Sequence, residues 1–81
     1  MDAREKFAIY NEMYNKSLEF SKRIRENFES KGLKVYSDFV SVENEEERTY
    51  FCDIEVGGSP ETYKRYRGKI TESNLEKLAT R

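Results

Sequence analysis

Residues 2–30, DAREKFAIYNEMYNKSLEFSKRIRENFES, decide the fold. Apolar or small side chains recur at Ala3, Phe7, Tyr10, Tyr14, Ser17, Leu18, Ser21, Ile24 and Phe28. Steps of three and four place these on one face of a 3.6-residue helix. Glu5, Glu12, Lys16, Glu19, Lys22, Arg23, Glu26 and Glu29 fall mostly opposite. The pattern predicts one helix over about residues 2–30, stopped by Gly32. A flanking stripe of Ile9, Met13 and Phe20 widens the apolar arc to nearly half the circumference. At 1.5 Å per residue such a helix spans roughly 43 Å. A domain of this length has a radius of gyration of about 12 Å and is on the order of 30 Å across. The helix is therefore expected to kink or overhang, leaving Ile9, Met13 and Phe20 as a partner or dimer face.

Working outward from the helix, two β-type runs follow. Leu33–Val42 alternates imperfectly, with a break near Ser37-Asp38 that suggests a bulge. Thr49–Val56 alternates cleanly, Tyr50, Cys52, Ile54 and Val56 on one face and Phe51, Asp53 and Glu55 on the other. The short polar link between them predicts an antiparallel hairpin. Ser59-Pro60-Glu61 supplies an N-cap, a first-position proline and a first-turn acid, so residues 60–67 read as a short helix ended by Gly68. The alternative makes Thr62–Ile70 a third strand. Thr71 or Ser73 then caps a last helix carrying Leu75, Leu78 and Ala79. The fold class is α+β, one small domain over 1–81: a long N-terminal helix on a hairpin with one or two short C-terminal helices, or a three-stranded meander between two helices.

Composition narrows function by exclusion. No histidine is present and only one cysteine, Cys52, which rules out Ser-His-Asp and Cys-His arrangements and the usual Cys/His zinc sites. Gly57-Gly58 is not followed by the residues of a phosphate loop. Asp38, Asp53 and Glu55 are the carboxylates that could gather around Mg²⁺, but a solvated sheet face explains them better. Cys52 belongs to the Tyr50/Ile54/Val56 face, which means core packing rather than nucleophilic work. The expectation is a protein without catalytic residues, metal or cofactor. The charged start of the chain, the lack of a long apolar run and the lone cysteine give a cytoplasmic, non-membrane expectation.

Charge is distributed unevenly. Residues 1–32 carry seven basic and six acidic side chains, residues 33–61 two and eight, and residues 62–81 six and two. Three surfaces follow. An acidic hairpin formed by Glu43, Glu45, Glu46, Glu47, Asp53 and Glu55, with Tyr50 and Phe51 as aromatic anchors, is expected to dock on a basic protein groove, including that of a nucleic-acid-handling protein. The apolar stripe Ile9, Met13 and Phe20 is the second. The basic segment Lys64, Arg65, Tyr66, Arg67 and Lys69 would contact nucleic acid. The leading expectation is a protein-binding inhibitor or regulator that also forms a homodimer. A nucleic-acid-binding protein and a structural homo-oligomer are the alternatives. In size, in richness in Tyr, Lys and Glu, and in lacking catalytic residues, the chain resembles the small proteins with which phages and mobile elements block host or defence proteins. That resemblance implies an inhibitor.

Overall fold

A computed structural model describes all residues, Met1–Arg81. The long apolar arc forms α1, Ala3–Ser30, a single unbroken helix. Asp2 caps it by accepting a hydrogen bond from the Glu5 backbone N–H. Gly32, at φ +80°, closes it: the Leu33 N–H reaches back to the Phe28 carbonyl, an arrangement that needs a left-handed residue between them.

Three antiparallel strands follow in spatial order β1-β2-β3: β1 Lys34–Asn44, β2 Thr49–Gly57 and β3 Lys64–Thr71. The β1–β2 register shifts between Val35 and Ser37, where the alternation of the sequence breaks, and again between Val42 and Asn44. The hairpin turns where Asn44 Oδ1 accepts from the N–H groups of Glu46 and Glu47. Helix α2, Glu72–Thr80, is capped by the Thr71 hydroxyl.

Of the two readings of residues 60–70, the strand forms and the helix over 60–67 does not. Ser59-Pro60-Glu61 is spent on one turn: the Thr62 N–H and hydroxyl both return to the Ser59 carbonyl. The chain then pairs with β2, placing Tyr66, Gly68 and Ile70 opposite Ile54, Cys52 and Tyr50. A lone hairpin leaves both backbone edges of its strands open and is marginal in water. The third strand satisfies the free edge of β2, a long-range gain that outweighs three local helix-start signals. Gly68 therefore lies within a strand, at φ +137°, rather than ending a helix.

Both helices pack on one face of the sheet. The core is Met13, Phe20, Ile24 and Phe28 from α1, Val40, Tyr50, Cys52, Ile54 and Val56 from the sheet, and Leu75, Leu78 and Ala79 from α2. Phe20 meets Tyr50 edge-on and Phe28 stacks on Tyr66. Burying each of the larger aliphatic side chains is worth about 1.5–3 kcal/mol. Helix α1 runs as one element from Ala3 to Ser30. The molecule lengthens to match its helix, measuring 48 × 19 × 17 Å. An eleven-residue strand spans about 36 Å, and Lys6 near the start of α1 pairs with Glu46 at the hairpin tip. No helix is long and apolar enough to cross a membrane.

Candidate protein-docking surface

The apolar arc of α1 is wider than the body beneath it, and the sheet takes only half. The buried half is Met13, Ser17, Phe20, Ile24 and Phe28, with Ile9 half-buried beside it. Met13 and Phe20 are 1% and 5% exposed in a single copy, so they are core and not the partner face expected of them. The outer half is part of the main stripe, whose Ser17, Ile24 and Phe28 are buried. Phe7, Tyr10, Tyr14 and Leu18 stand 66%, 44%, 46% and 55% exposed. A helix needs an apolar stripe only slightly over 100° wide to join a core. Either half of this arc would serve. Met13, Phe20 and Ile24 have no polar atom to leave behind, whereas Tyr10 and Tyr14 each carry a hydroxyl that favours a half-wet position. That chemical difference was the available signal for the outer half, and helical spacing alone does not reveal it.

Two serines mark the seam. Ser17 is buried, its hydroxyl returned to the Tyr14 carbonyl, and its small size lets the helix approach the sheet. The Ser21 hydroxyl donates to the Asp38 carbonyl on β1 at 2.6 Å. Beyond this seam a groove of about 340 Å³ runs between α1 and β1, lined on the helix side by Tyr10, Tyr14 and Leu18 and on the strand side by Phe39, Val40 and Val42. Phe39 is 53% exposed and continues the apolar surface around the β1 edge. There it meets Phe51 edge-on, and Tyr36 lies exposed on the same strand.

The two sheet edges differ. The β3 edge bears Lys64, Arg65, Arg67 and Lys69, which discourage another strand from pairing there. Between Val35 and Val42 the β1 edge has one charged residue, Asp38, and its carboxylate is held by Arg25 at 2.7 Å.

The acidic and basic surfaces read separately from the sequence are one lattice. The β2–β3 register sets Arg65 opposite Glu55 and Arg67 opposite Asp53. Arg65 binds Asp53 through two hydrogen bonds of 3.0 Å, Arg67 approaches the same carboxylate at 3.6 Å, and Lys69 pairs with Glu47 at 2.8 Å. The Arg65 bonds hold the Asp53 carboxyl below the ordinary Asp range. Glu55 accepts from the Tyr63 hydroxyl, and Glu46 is taken by Lys6. Of the acidic hairpin, Glu43, Glu45 and Glu55 are outside any ion pair, and Glu55 is held by the Tyr63 hydroxyl alone. Tyr50 is buried, so it cannot anchor a partner, and burial pushes its phenol pKa up. Phe51 stays half-buried on the outer sheet face. Tyr66 turns to the core. Arg65, Arg67 and Lys69 are committed to carboxylates, which removes the free cationic track that phosphates need.

Asp38 does not join Asp53 and Glu55. It lies opposite Ile54, on the other parity of the sheet. Cys52 is buried with its thiol against the Tyr66 carbonyl, and burial pushes its pKa up, away from nucleophilic use. Comparison with known proteins gave no match: no family model fits the chain, and no curated protein and no solved structure matches it.

Proposed function

We propose that the protein is a non-enzymatic protein-binding module, acting as an inhibitor or regulator by occupying a surface, and that its docking face is the outer half of α1 together with the β1 edge. The observation that supports this most is the exposure of four large apolar side chains in a row on one helix face, Phe7, Tyr10, Tyr14 and Leu18, continuous with Phe39 across the groove. Scattered exposed apolar residues are ordinary, but a contiguous apolar patch marks an interaction site. Tyrosine and phenylalanine are also the side chains that protein interfaces favour. The chain lacks a histidine, and its one thiol is buried, which leaves occupancy rather than chemistry as its means of action. Its size and composition support the inhibitor form of this reading.

The surface reading departs from an acidic-hairpin mechanism in which charge steers the encounter, because three of the six hairpin carboxylates, Glu46, Glu47 and Asp53, are already paired with neighbouring cations. Capture from cell extract with the tagged full chain tests it. A specific protein should be retained after nuclease treatment and lost with Tyr14→Glu plus Leu18→Glu, while Glu43→Lys plus Glu45→Lys should retain it. Retention abolished by nuclease would falsify the reading in favour of nucleic acid.

A further inference from the structure

We propose that in the free protein, before any other partner docks, this face is covered by a second copy of the same chain, and that the dimer joins two β1 edges into one six-stranded sheet about a two-fold axis at Ser41. The proposal rests on the reading of the face as a protein-docking surface and names its partner.

Charge is the first argument. A two-fold contact sets a patch against itself, so any net charge within it repels its own image. From Phe7 to Leu18 the outer half of α1 is bordered by Asn11 and Asn15, and Arg25 beyond it is held by Asp38 and Glu29. Elsewhere the surface is covered by ion pairs: the outer sheet face through Asp53, and the α1–α2 groove through Lys16–Glu72 and Arg23–Glu76. Between Arg4 and Lys22, which flank it at either end, the outer half of α1 carries no charged side chain to repel its own image.

The second argument is area. Phe7, Tyr10, Tyr14, Leu18 and Phe39 each leave about half of the side chain uncovered. At about 150–250 Å² for a large aromatic side chain, these five expose on the order of 500 Å². With a polar rim this approaches the roughly 800 Å² per partner of a standard interface.

Backbone geometry fixes the register. The Asp38 carbonyl accepts from Ser21, so it points away from β2. Strand alternation then turns the N–H and C=O groups of Val40 and Val42 outward as well. Neither receives a side-chain cap of the kind Ser21 gives Asp38. Antiparallel pairing centred on Ser41 joins Val40 of one copy to Val42 of the other through both groups. It leaves Ser41 facing its own image as a non-hydrogen-bonded pair, with Cα atoms about 4.5 Å apart. The same axis brings the two α1 outer halves together on one side of the extended sheet, Tyr14 and Leu18 meeting their counterparts.

Sedimentation equilibrium of the full chain tests the association, and an engineered cysteine tests its register. The wild type should sediment at twice its 9.7 kDa mass. Leu18→Glu should weaken association about 100-fold while its far-ultraviolet circular dichroism stays that of the wild type. Ser41→Cys should form an intermolecular disulfide on oxidation with copper phenanthroline, since the expected Cα separation lies within disulfide range. Ser37→Cys, away from the axis, should not. The native Cys52 is buried and gives no background. A wild type that stays monomeric to about 1 mM overturns the dimer. So does a dimer unmoved by Leu18→Glu, or one cross-linked through Ser37→Cys in preference to Ser41→Cys. A monomer that still retains another protein through Tyr14 and Leu18 removes this inference and leaves the docking reading standing.

Discussion

Asp53 is where the charge pattern of the sequence becomes legible only in three dimensions. Its carboxylate takes two hydrogen bonds from Arg65 and lies near Arg67, and those contacts keep it ionised below the usual Asp range. Because its folded pKa lies below the unfolded value of about 3.9, its contribution is complete above that value and is lost as pH falls through the folded pKa. Glu76, held by two bonds from Arg23, acts in the same direction. Asp53→Asn should therefore lower stability at neutral pH, and it should flatten the loss of stability between about pH 5 and pH 2. Urea unfolding across that range measures the slope, and an undiminished slope would show that the Asp53 lattice contributes nothing. From the sequence, the eight acidic residues of the middle segment and the six basic residues that follow read as two faces. Only the β2–β3 register, which joins two segments separated by a turn, shows them cancelling.

At the scale of elements, α1, β1, β2 and α2 were readable because each carries its own period and punctuation: Asp2 and Gly32 around the first helix, and Thr71 at the second. Strand β3 was visible as an alternative and outranked by Ser59-Pro60-Glu61, since local start signals carry no information about the free edge of β2. The division of the α1 arc was hidden for a similar reason. Spacing identifies a face, but the sheet selects which half of an overly wide face it takes. This division makes a paired prediction. Met13→Glu places a charge at a fully enclosed position, and a large-to-charged change there should cost several kcal/mol and unfold a domain of this size. Leu18→Glu, on the outer half, should change the thermal midpoint by only a few degrees. Circular dichroism melts of the two variants decide the matter. A folded Met13→Glu together with an unfolded Leu18→Glu would reverse the assignment of the halves.

The whole molecule is a narrow rod, 48 Å long and under 20 Å in its other dimensions. A small chain buries a limited fraction of its surface, and a rod buries less than a sphere. The consequence is a long helix whose far side has no neighbour, next to a sheet edge with a single paired charge, while the opposite edge is guarded by four cations. On the proposed reading, this asymmetry carries the function. The chain has no histidine and its one cysteine is buried, and it presents an apolar helix face that another surface can cover. The existence of spare apolar area was legible in the width of the α1 arc. Its location was not, because Ile9, Met13 and Phe20 look as exposable as Phe7, Tyr10 and Leu18 until the sheet is in place.

The location of that contact is tested most directly by two-dimensional NMR of the labelled full chain across a concentration series. The resonances of Phe7, Tyr10, Tyr14 and Leu18, and of Phe39 to Val42 on β1, should shift or broaden together as concentration rises, while those of β3 from Lys64 to Lys69 stay fixed. Changes confined to β3 or the hairpin tip, or a spectrum that does not change at all, would contradict the assignment of this face.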